Sequence, residues 1–452
     1  MRIIIVGCGN IGMTIVENLI AEGHEVIAVD EDPSIIAEVT NAYDTMGVCG
    51  NGVDCETLSE AEVEKAELFV SVTGSDEFNM LSCFLAKRMG AKHTIARIRN
   101  PEYNDSSLGF LRNQLDLSLS INPELLAAKE LLNVLKFPSA VNVESFSGRS
   151  FEIVELRLKE NSPLDGMKLS GLRKRYQAKF LVCAVQREDK VYIPDGNFKL
   201  RSGDKIGLTA APTEIQKLLK MLGLLQKQVK DVMILGASRT AYYLAKLLLA
   251  NGIDVKVIEK DRSQCEAFCE DLSSAVMICG DGAEPELLLE EGLTSMDAFV
   301  ALTGNDEENM LLSFFANANN VPKVISMVNR NELSFMAEKL GLDSIVSPQK
   351  MVSNVLTRYA RALQNSLGSN VETLYKIMDG KAEALEFNVQ NDFPHLDVPL
   401  KEMELKSNIL VAGIIRGRKT VIPAGDDVIR AGDRVIVIST EHRLQDLSDI
   451  IA

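Results

Sequence analysis

The chain has no tryptophan, and aromatic residues fill 5% of its 452 positions. Its cores must be built from aliphatic side chains, with little ring stacking. Histidine is scarce too, with four copies: His24, His93, His395 and His442. A hydride-transfer enzyme needs a proton donor or acceptor beside the nicotinamide, often His or Lys, and a place for substrate. None of the four histidines has a carboxylate partner at a motif-like position. His24 is expected at the surface, in the Glu22-Gly23-His24 turn, and no His/Glu cluster suggests a metal. These absences weigh against an enzyme. Positive charge is also short: 48 Lys and Arg stand against 64 Asp and Glu, a net −16. Phosphate-backbone binding rests on Lys and Arg, so nucleic acid is not an expected partner. The same charge argues against unaided docking on anionic lipid. No apolar run reaches the roughly 20 residues that a spanning helix needs. Gly7 interrupts the first apolar run, which leaves no room for a signal peptide. Eight cysteines are scattered, in a spacing that suits neither a disulfide scaffold nor a structural zinc site. Cys265 and Cys269 lie one helical turn apart, but no second pair is spaced to join them. Free thiols of a cytosolic chain are expected.

What is present is present twice. Ile3-Ile4-Ile5-Val6-Gly7-Cys8-Gly9-Asn10-Ile11-Gly12 is followed by Asp30; Val232-Met233-Ile234-Leu235-Gly236-Ala237-Ser238-Arg239-Thr240-Ala241 is followed by Glu259. Gly50-Asn51-Gly52 recurs as Gly280-Asp281-Gly282. Val72-Thr73-Gly74-Ser75-Asp76-Glu77 recurs as Leu302-Thr303-Gly304-Asn305-Asp306-Glu307, each followed by Asn-Met. Ile193-Pro194 and Arg201-Ser202-Gly203-Asp204 recur as Ile422-Pro423 and Arg430-Ala431-Gly432-Asp433. The repeat is half the chain, far longer than a solenoid unit.

Within each half, apolar strand runs alternate with amphipathic helices, the signature of βαβ units around a parallel sheet buried on both faces. In the first half, strands are expected at 2–6, 25–29, 44–48, 68–72 and 93–98, and helices at 10–21, 33–41, 76–89 and 123–135. From about Val141 the pattern changes. Phe151 to Leu158 alternates apolar and polar, which reads as a half-buried strand of an antiparallel or mixed sheet. The expected fold is α/β: two Rossmann-like, doubly wound parallel-sheet lobes at 1–138 and 230–366, each followed by a small α+β domain, at 139–226 and 368–452.

The first glycine-rich turn follows an apolar strand and opens a helix, the context that makes Gly-x-Gly-x-x-Gly specific. Gly7 permits the tight turn, Gly9 lets backbone approach a pyrophosphate, and Gly12 allows close helix–strand packing. Cys8, Asn10 and Ile11 complete the loop, and its phosphates would sit on the helix N-terminus. Asp30 ends the second strand, where a carboxylate can bond ribose hydroxyls. Asp30-Glu31-Asp32 would repel a 2′-phosphate, so NAD or an unphosphorylated adenosine ribose is favoured over NADP. Asn51 could reach the adenine edge or form a plain turn. Thr73 and Gly74 should face the crevice at the strand ends, or cap the next helix. Arg97 or Arg99 could meet a phosphate across a subunit boundary, or serve surface ion pairs.

The second copy is degenerate. Gly236 is kept, but Ser238 and Ala241 replace the later glycines. Arg239 adds a cation at the phosphate end, beside Thr240. Glu259 keeps the ribose acid, Asp281 matches Asn51, Thr303 matches Thr73, and Met327 replaces Arg97. This copy either binds an adenine nucleotide or is an empty structural duplicate.

The order lobe, small domain, lobe, small domain, with these motifs and Ala96-Arg97-Ile98-Arg99-Asn100-Pro101-Glu102-Tyr103, resembles the TrkA family of tandem RCK (regulator of potassium conductance) proteins. The resemblance spans essentially the whole chain. It implies a cytosolic regulatory subunit, peripheral on the inner face of the membrane, of an integral-membrane potassium transporter of the TrkH/TrkG type. It implies NAD(H) as ligand, with ADP or ATP read by a cation such as Arg239. It also implies a homotetramer whose eight lobes form a ring. An NAD-dependent oxidoreductase with a duplicated binding domain, or a purely structural scaffold, are the rival readings.

Overall fold

The computed structural model describes every residue except 104, 147–150, 161, 177–178, 224–226, 366–370, 441–443 and 445. His442 and the expected boundaries at 226, 366 and 368 lie outside the described residues.

The first lobe runs β1 (Arg2–Val6), α1 (Asn10–Ala21), β2 (Glu25–Asp30), α2 (Pro33–Tyr43), β3 (Met46–Cys49), α3 (Cys55–Glu60), β4 (Leu68–Ser71), α4 (Asp76–Met89), β5 (His93–Arg97), α5 (Asp105–Gln114), β6 (Leu119–Ile121) and α6 (Pro123–Lys136). A small domain follows: β7 (Asn142–Phe146), β8 (Phe151–Arg157), α7 (Leu169–Tyr176), β9 (Phe180–Arg187), β10 (Lys190–Tyr192), β11 (Lys205–Ala210) and α8 (Pro212–Met221). The second lobe runs β12 (Asp231–Leu235), α9 (Arg239–Ala250), β13 (Asp254–Glu259), α10 (Arg262–Asp271), β14 (Val276–Cys279), α11 (Pro285–Glu290), β15 (Ala298–Ala301), α12 (Asp306–Ala318), β16 (Lys323–Met327), α13 (Asn331–Lys339), β17 (Ile345–Val346) and α14 (Pro348–Asn365). The last small domain holds β18 (Val371–Ile377), β19 (Ala382–Asn388), β20 (Ile409–Arg416), β21 (Lys419–Val421) and β22 (Arg434–Ser439).

Each lobe is a parallel six-stranded sheet, in the order β3-β2-β1-β4-β5-β6 and β14-β13-β12-β15-β16-β17. The order reverses beside β1 and β12, which opens a crevice at the strands' carboxyl ends. Ile3, Ile4 and Ile5 are fully buried, as a parallel strand covered on both faces requires. The small domains carry antiparallel sheets, β10-β9-β11-β8-β7 and β18-β19-β22-β20-β21. In the first lobe, α3, α5 and β6 are additional to the elements expected from sequence. The strand expected from Asp44 starts at Met46, because Asp44 takes a left-handed φ of 46° to end α2. Asn122 caps α6 by accepting the Leu125 N–H at 2.8 Å, with Pro123 in the favoured first position.

Two long helices change lobes. Ala127, Ala128, Leu131 and Leu135 of α6 are buried in one cluster with Val232, Ala241 and Leu244 of the second lobe. Val352, Leu356 and Ala360 of α14 are buried with Ile3, Ile15 and Val16 of the first. The small domains meet face to face: Phe146, Phe151 and Ile153 share a core with Ala382, Ala384, Ile436 and Ile438. This corrects the half-buried reading of β8. Both faces are covered, Val154 and Leu156 by the domain's own core and Phe151 and Ile153 by the second small domain, and Glu152 and Glu155 are buried. Lys205 compensates Glu155 at 3.0 Å and Asp379 of the second half at 2.6 Å.

His24 is likewise buried, against the surface placement expected from its turn. The turn is covered from the second half of the chain, where Arg361 of α14 bonds Glu22 at 2.5 Å and Glu383 at 2.9 Å. Burial, then the nearby chain amine, pulls the His24 pKa down to about 4.

Lys323 of β16 is buried and donates from Nζ to the Ala140 carbonyl at 2.6 Å and to Ser344 Oγ at 2.8 Å. A neutral amine can make both bonds, and burial lowers its pKa from 10.5 to about 7. Between these values the unfolded chain holds a proton that the folded chain has released, so stability rises with pH across that window. Urea unfolding followed from pH 7 to 10 is expected to show this rise, and Lys323→Met to flatten it.

Candidate functional site

The first glycine turn is shaped by clashes that a side chain would create. Gly7 has φ +89°, and a Cβ there would lie 2.8 Å from Thr73. A Cβ on Gly12 would lie 2.0 Å from the Gly7 carbonyl oxygen. Gly9 has nothing within 4 Å on that side, so its backbone faces open space. It precedes α1 without a side-chain cap, which leaves the first N–H groups of the helix free for an anion. The Asp30 carboxylate accepts the Cys8 N–H at 2.7 Å and the Asp32 N–H at 3.0 Å. A carboxylate has about four acceptor positions, so two remain for a ribose diol.

Gly7, Gly9, Asn10, Ile11, Asp30, Thr73, Gly74 and Arg97 line one cleft of about 960 Å³. Cys8 and Gly12 stand behind it, in the turn's own bonding and packing. Asn51 does not line it. Its side-chain oxygen accepts the Val53 N–H at 2.9 Å, the plain-turn alternative, while Gly50 and Gly52 face the cleft. Asn79 and Asp76 organise the far wall and were not singled out from sequence. Buried Asn79 accepts the Thr73 N–H at 2.8 Å and donates to the Arg97 carbonyl at 2.9 Å, which ties the ends of β4 and β5 together. Asp76 accepts the N–H groups of Arg99 and Asn100, both at 2.8 Å. The signal was the repeated Asp-Glu-x-Asn-Met, since Asn309 and Asp306 make the same bonds in the second lobe.

The cleft belongs to both lobes. Ser238, Arg239 and Thr240 at the start of α9, Met327 at the end of β16 and Asn329 after it, and Pro348 and Gln349 of α14 line it too. Arg239 stands close enough to Arg97 to lower its pKa, after burial and Arg99. Arg97 bonds the Thr73 carbonyl and Arg99 bonds the Gly74 carbonyl at 2.6 Å. Their Nε atoms are buried with no hydrogen-bond acceptor among the described residues. Three guanidinium groups thus converge where the lobes meet, with donors to spare, beside a bare helix N-terminus. The chemistry fits a ligand with a diol at one end and several anionic oxygens at the other.

The second cleft is smaller, about 350 Å³, and is lined by Gly236, Ser238, Glu259, Lys260, Asp281 and Thr303 among others. Glu259 repeats Asp30, accepting the Ala237 and Asp261 N–H groups at 2.8 Å each. Here Ser238 caps α9 itself, accepting the Ala241 N–H at 3.4 Å. Arg239 is absent from this lining. The expected cation of the second copy therefore faces the first cleft, because the N-terminus of α9 points at the lobe interface. The counterparts of Arg97, Arg99 and Arg239 are Met327, Asn329 and Asn10, all uncharged. The duplication has kept the strand-end acid in both copies and gathered the three arginines in one cleft.

Family models of the TrkA-N domain match residues 3–109 and 232–348, and those of the TrkA-C domain match 153–223 and 384–452. The chain is 31% identical over 450 residues to a Trk system potassium uptake protein TrkA homolog of Archaeoglobus fulgidus, covering 100% of both chains. It is 29% identical to the Trk system potassium uptake protein TrkA of Vibrio alginolyticus, covering 100% of this chain and 98% of the other. Among solved structures, the GsuK channel aligns with a TM-score of 0.63 at 16% identity, over 97% of this chain and 77% of that one. The GsuK channel bound to NAD aligns with a TM-score of 0.62 at 16% identity, with the same coverage. These two likenesses establish the shared fold of paired parallel-sheet lobes and antiparallel small domains. With the parallel sheets, the antiparallel domains and full-length relatives in agreement, the chain belongs to the TrkA family of Trk system potassium uptake proteins.

Proposed function

We propose that this chain is the nucleotide-responsive regulatory subunit of a membrane potassium transporter of the TrkH/TrkG type, and not an enzyme. The observation that carries the reading is the first cleft, built from both lobes. Asp30 would hold the adenosine ribose of NAD(H), ADP or ATP, the bare start of α1 would receive the pyrophosphate, and Arg97, Arg99 and Arg239 would face the outermost phosphate oxygens. A ligand spanning the lobe interface binds one arrangement of the lobes better than another. That differential affinity is what lets it shift a conformational equilibrium. Titratable partners suited to hydride transfer do not enter this proposal, and no helix of the described residues is long and apolar enough to cross a membrane. The subunit would therefore sit in the cytoplasm and reach the membrane through its transporter.

Assembly is the second part of the reading. Leu81 of α4, Phe110 of α5, Leu311 of α12, Phe335 and Met336 of α13, and Leu340 just after it are exposed. They occupy equivalent faces of both lobes, as a ring of repeated lobe-to-lobe contacts would need. Two lobes per chain close a ring of eight with four chains.

Calorimetry is expected to show Asp30→Ala losing about 1–3 kcal/mol of NADH or ADP affinity, the cost of unpaired buried ribose hydroxyls. Arg239→Ala should weaken ADP and ATP more than NADH, whose pyrophosphate is held by backbone N–H groups. Equal losses for all three ligands would remove Arg239 from the phosphate end. Light scattering should give four chains for the parent, and Leu311→Asp should lower that number. In proteoliposomes holding the transporter, nucleotide should change potassium flux with no loss of NADH. Coupled NADH oxidation would return the oxidoreductase reading.

A further inference from the structure

Beside the second cleft is a feature that the first lacks: two cysteines gathered at the end of one strand pair. β13 ends in Glu259, the ribose-side acid, and β14 ends in Cys279, its register partner on the neighbouring strand. Cys279 leads directly into Gly280-Asp281-Gly282, and Asp281 and Gly282 line the cleft. The Glu259 carbonyl accepts two donors at once, the Gly280 N–H at 2.9 Å and the Cys265 thiol at 3.3 Å. Cys265, on α10, is therefore held against the strand end from which Cys279 emerges. Cys279 lies near enough to raise the Cys265 pKa, after burial. Cys265 is buried, whereas Cys279 and Cys269 are exposed.

The first lobe provides an internal control. Cys49 occupies the place of Cys279, exposed and 3.7 Å from the Glu31 carbonyl. The counterpart of Cys265 is Ile36, so no thiol faces it.

We propose that Cys265 and Cys279 form a reversible disulfide that makes the second cleft a redox-sensitive site. The oxidant is a peroxide. The exposed Cys279 sulfur attacks one peroxide oxygen, the O–O bond breaks, and Cys279 becomes a sulfenic acid as water is released. Cys265 then gives up its proton and attacks that sulfur. The S–S bond forms, and the displaced hydroxide takes the proton and leaves as a second water. Two molecules of a small thiol, or one dithiol, restore both cysteines by supplying the two electrons and leave as their own disulfide. Burial pushes the Cys265 thiol up to about 12, so Cys279 is the one that meets the oxidant first. Closing the bond removes the thiol donor from the Glu259 carbonyl and fastens the Gly280–Gly282 loop to α10. The site is independent of which ligand the first cleft takes.

The test uses the full-length assembly treated with hydrogen peroxide, followed by thiol titration and peptide mapping. Two of the eight thiols should be lost to one intrachain Cys265–Cys279 link, and dithiothreitol should restore both. Cys265→Ser should abolish the link and Cys269→Ser should leave it intact. Amide hydrogen exchange at residues 280–283 should slow on oxidation, while residues 50–53 of the first lobe stay unchanged. A Cys269–Cys279 link would overturn the assignment. So would oxidation of Cys279 to the sulfinic acid with Cys265 still free, or a link that leaves exchange at 280–283 unaltered.

Discussion

Helices α6 and α14 each close one lobe in sequence and bury their apolar face in the other, and the rest of the molecule depends on that exchange. The fully buried Leu131 and Leu135 of α6 contribute about 1.5–3 kcal/mol each. Exposed ion pairs such as Arg262–Glu266 are worth about 0–1 kcal/mol, so apolar burial sets how the lobes sit. The buried pairs, Arg361 with Glu22 and Glu383, and Lys205 with Glu155 and Asp379, act differently. Removing one partner would strand a buried charge at a cost of about 3–5 kcal/mol. They penalise other arrangements more than they add stability to this one.

The exchange decides where the chemistry falls. The start of α9 is aimed at the lobe interface, so Arg239 leaves its own crevice and joins Arg97 and Arg99 in the other. Tyr243, one turn further along α9, donates to the Arg99 carbonyl at 2.9 Å and accepts from Asn122 at the start of α6 at 3.0 Å. The wall of the first cleft is thus bonded to both the crossing helix and the opposite lobe. A ligand that bonded Arg239 would also pull on this junction, which would give the proposed site a direct physical route to lobe geometry.

The lobes themselves were legible in the sequence. Ile3 to Val6 followed by a glycine turn and a 3.6-residue apolar period leaves little alternative to β1 and α1, and the repeat doubled the information. What failed to show was everything that depends on a distant segment. Alternation in Phe151 to Leu158 correctly marked a strand, but the period of two cannot tell that a second sheet covers the face of Phe151 and Ile153. His24 lies in an ordinary surface-type turn until Arg361, more than 300 residues away, covers it. Asn51 looked like a ligand contact because it sits between glycines, yet its side chain closes the turn they make. Arg239 was expected at the second cleft and lines the first, because sequence spacing records a residue's own lobe and not the lobe it faces.

In the proposed complex one ligand, anchored at Asp30, reaches the second lobe. An ATP analogue with a photoreactive group on its terminal phosphate tests this directly, through the peptide it marks after irradiation. Adducts are expected on residues 238–242 at the start of α9, lost in Asp30→Ala and kept in Glu259→Ala. Adducts confined to the first lobe, or adducts on α9 that depend on Glu259 and not on Asp30, would contradict it.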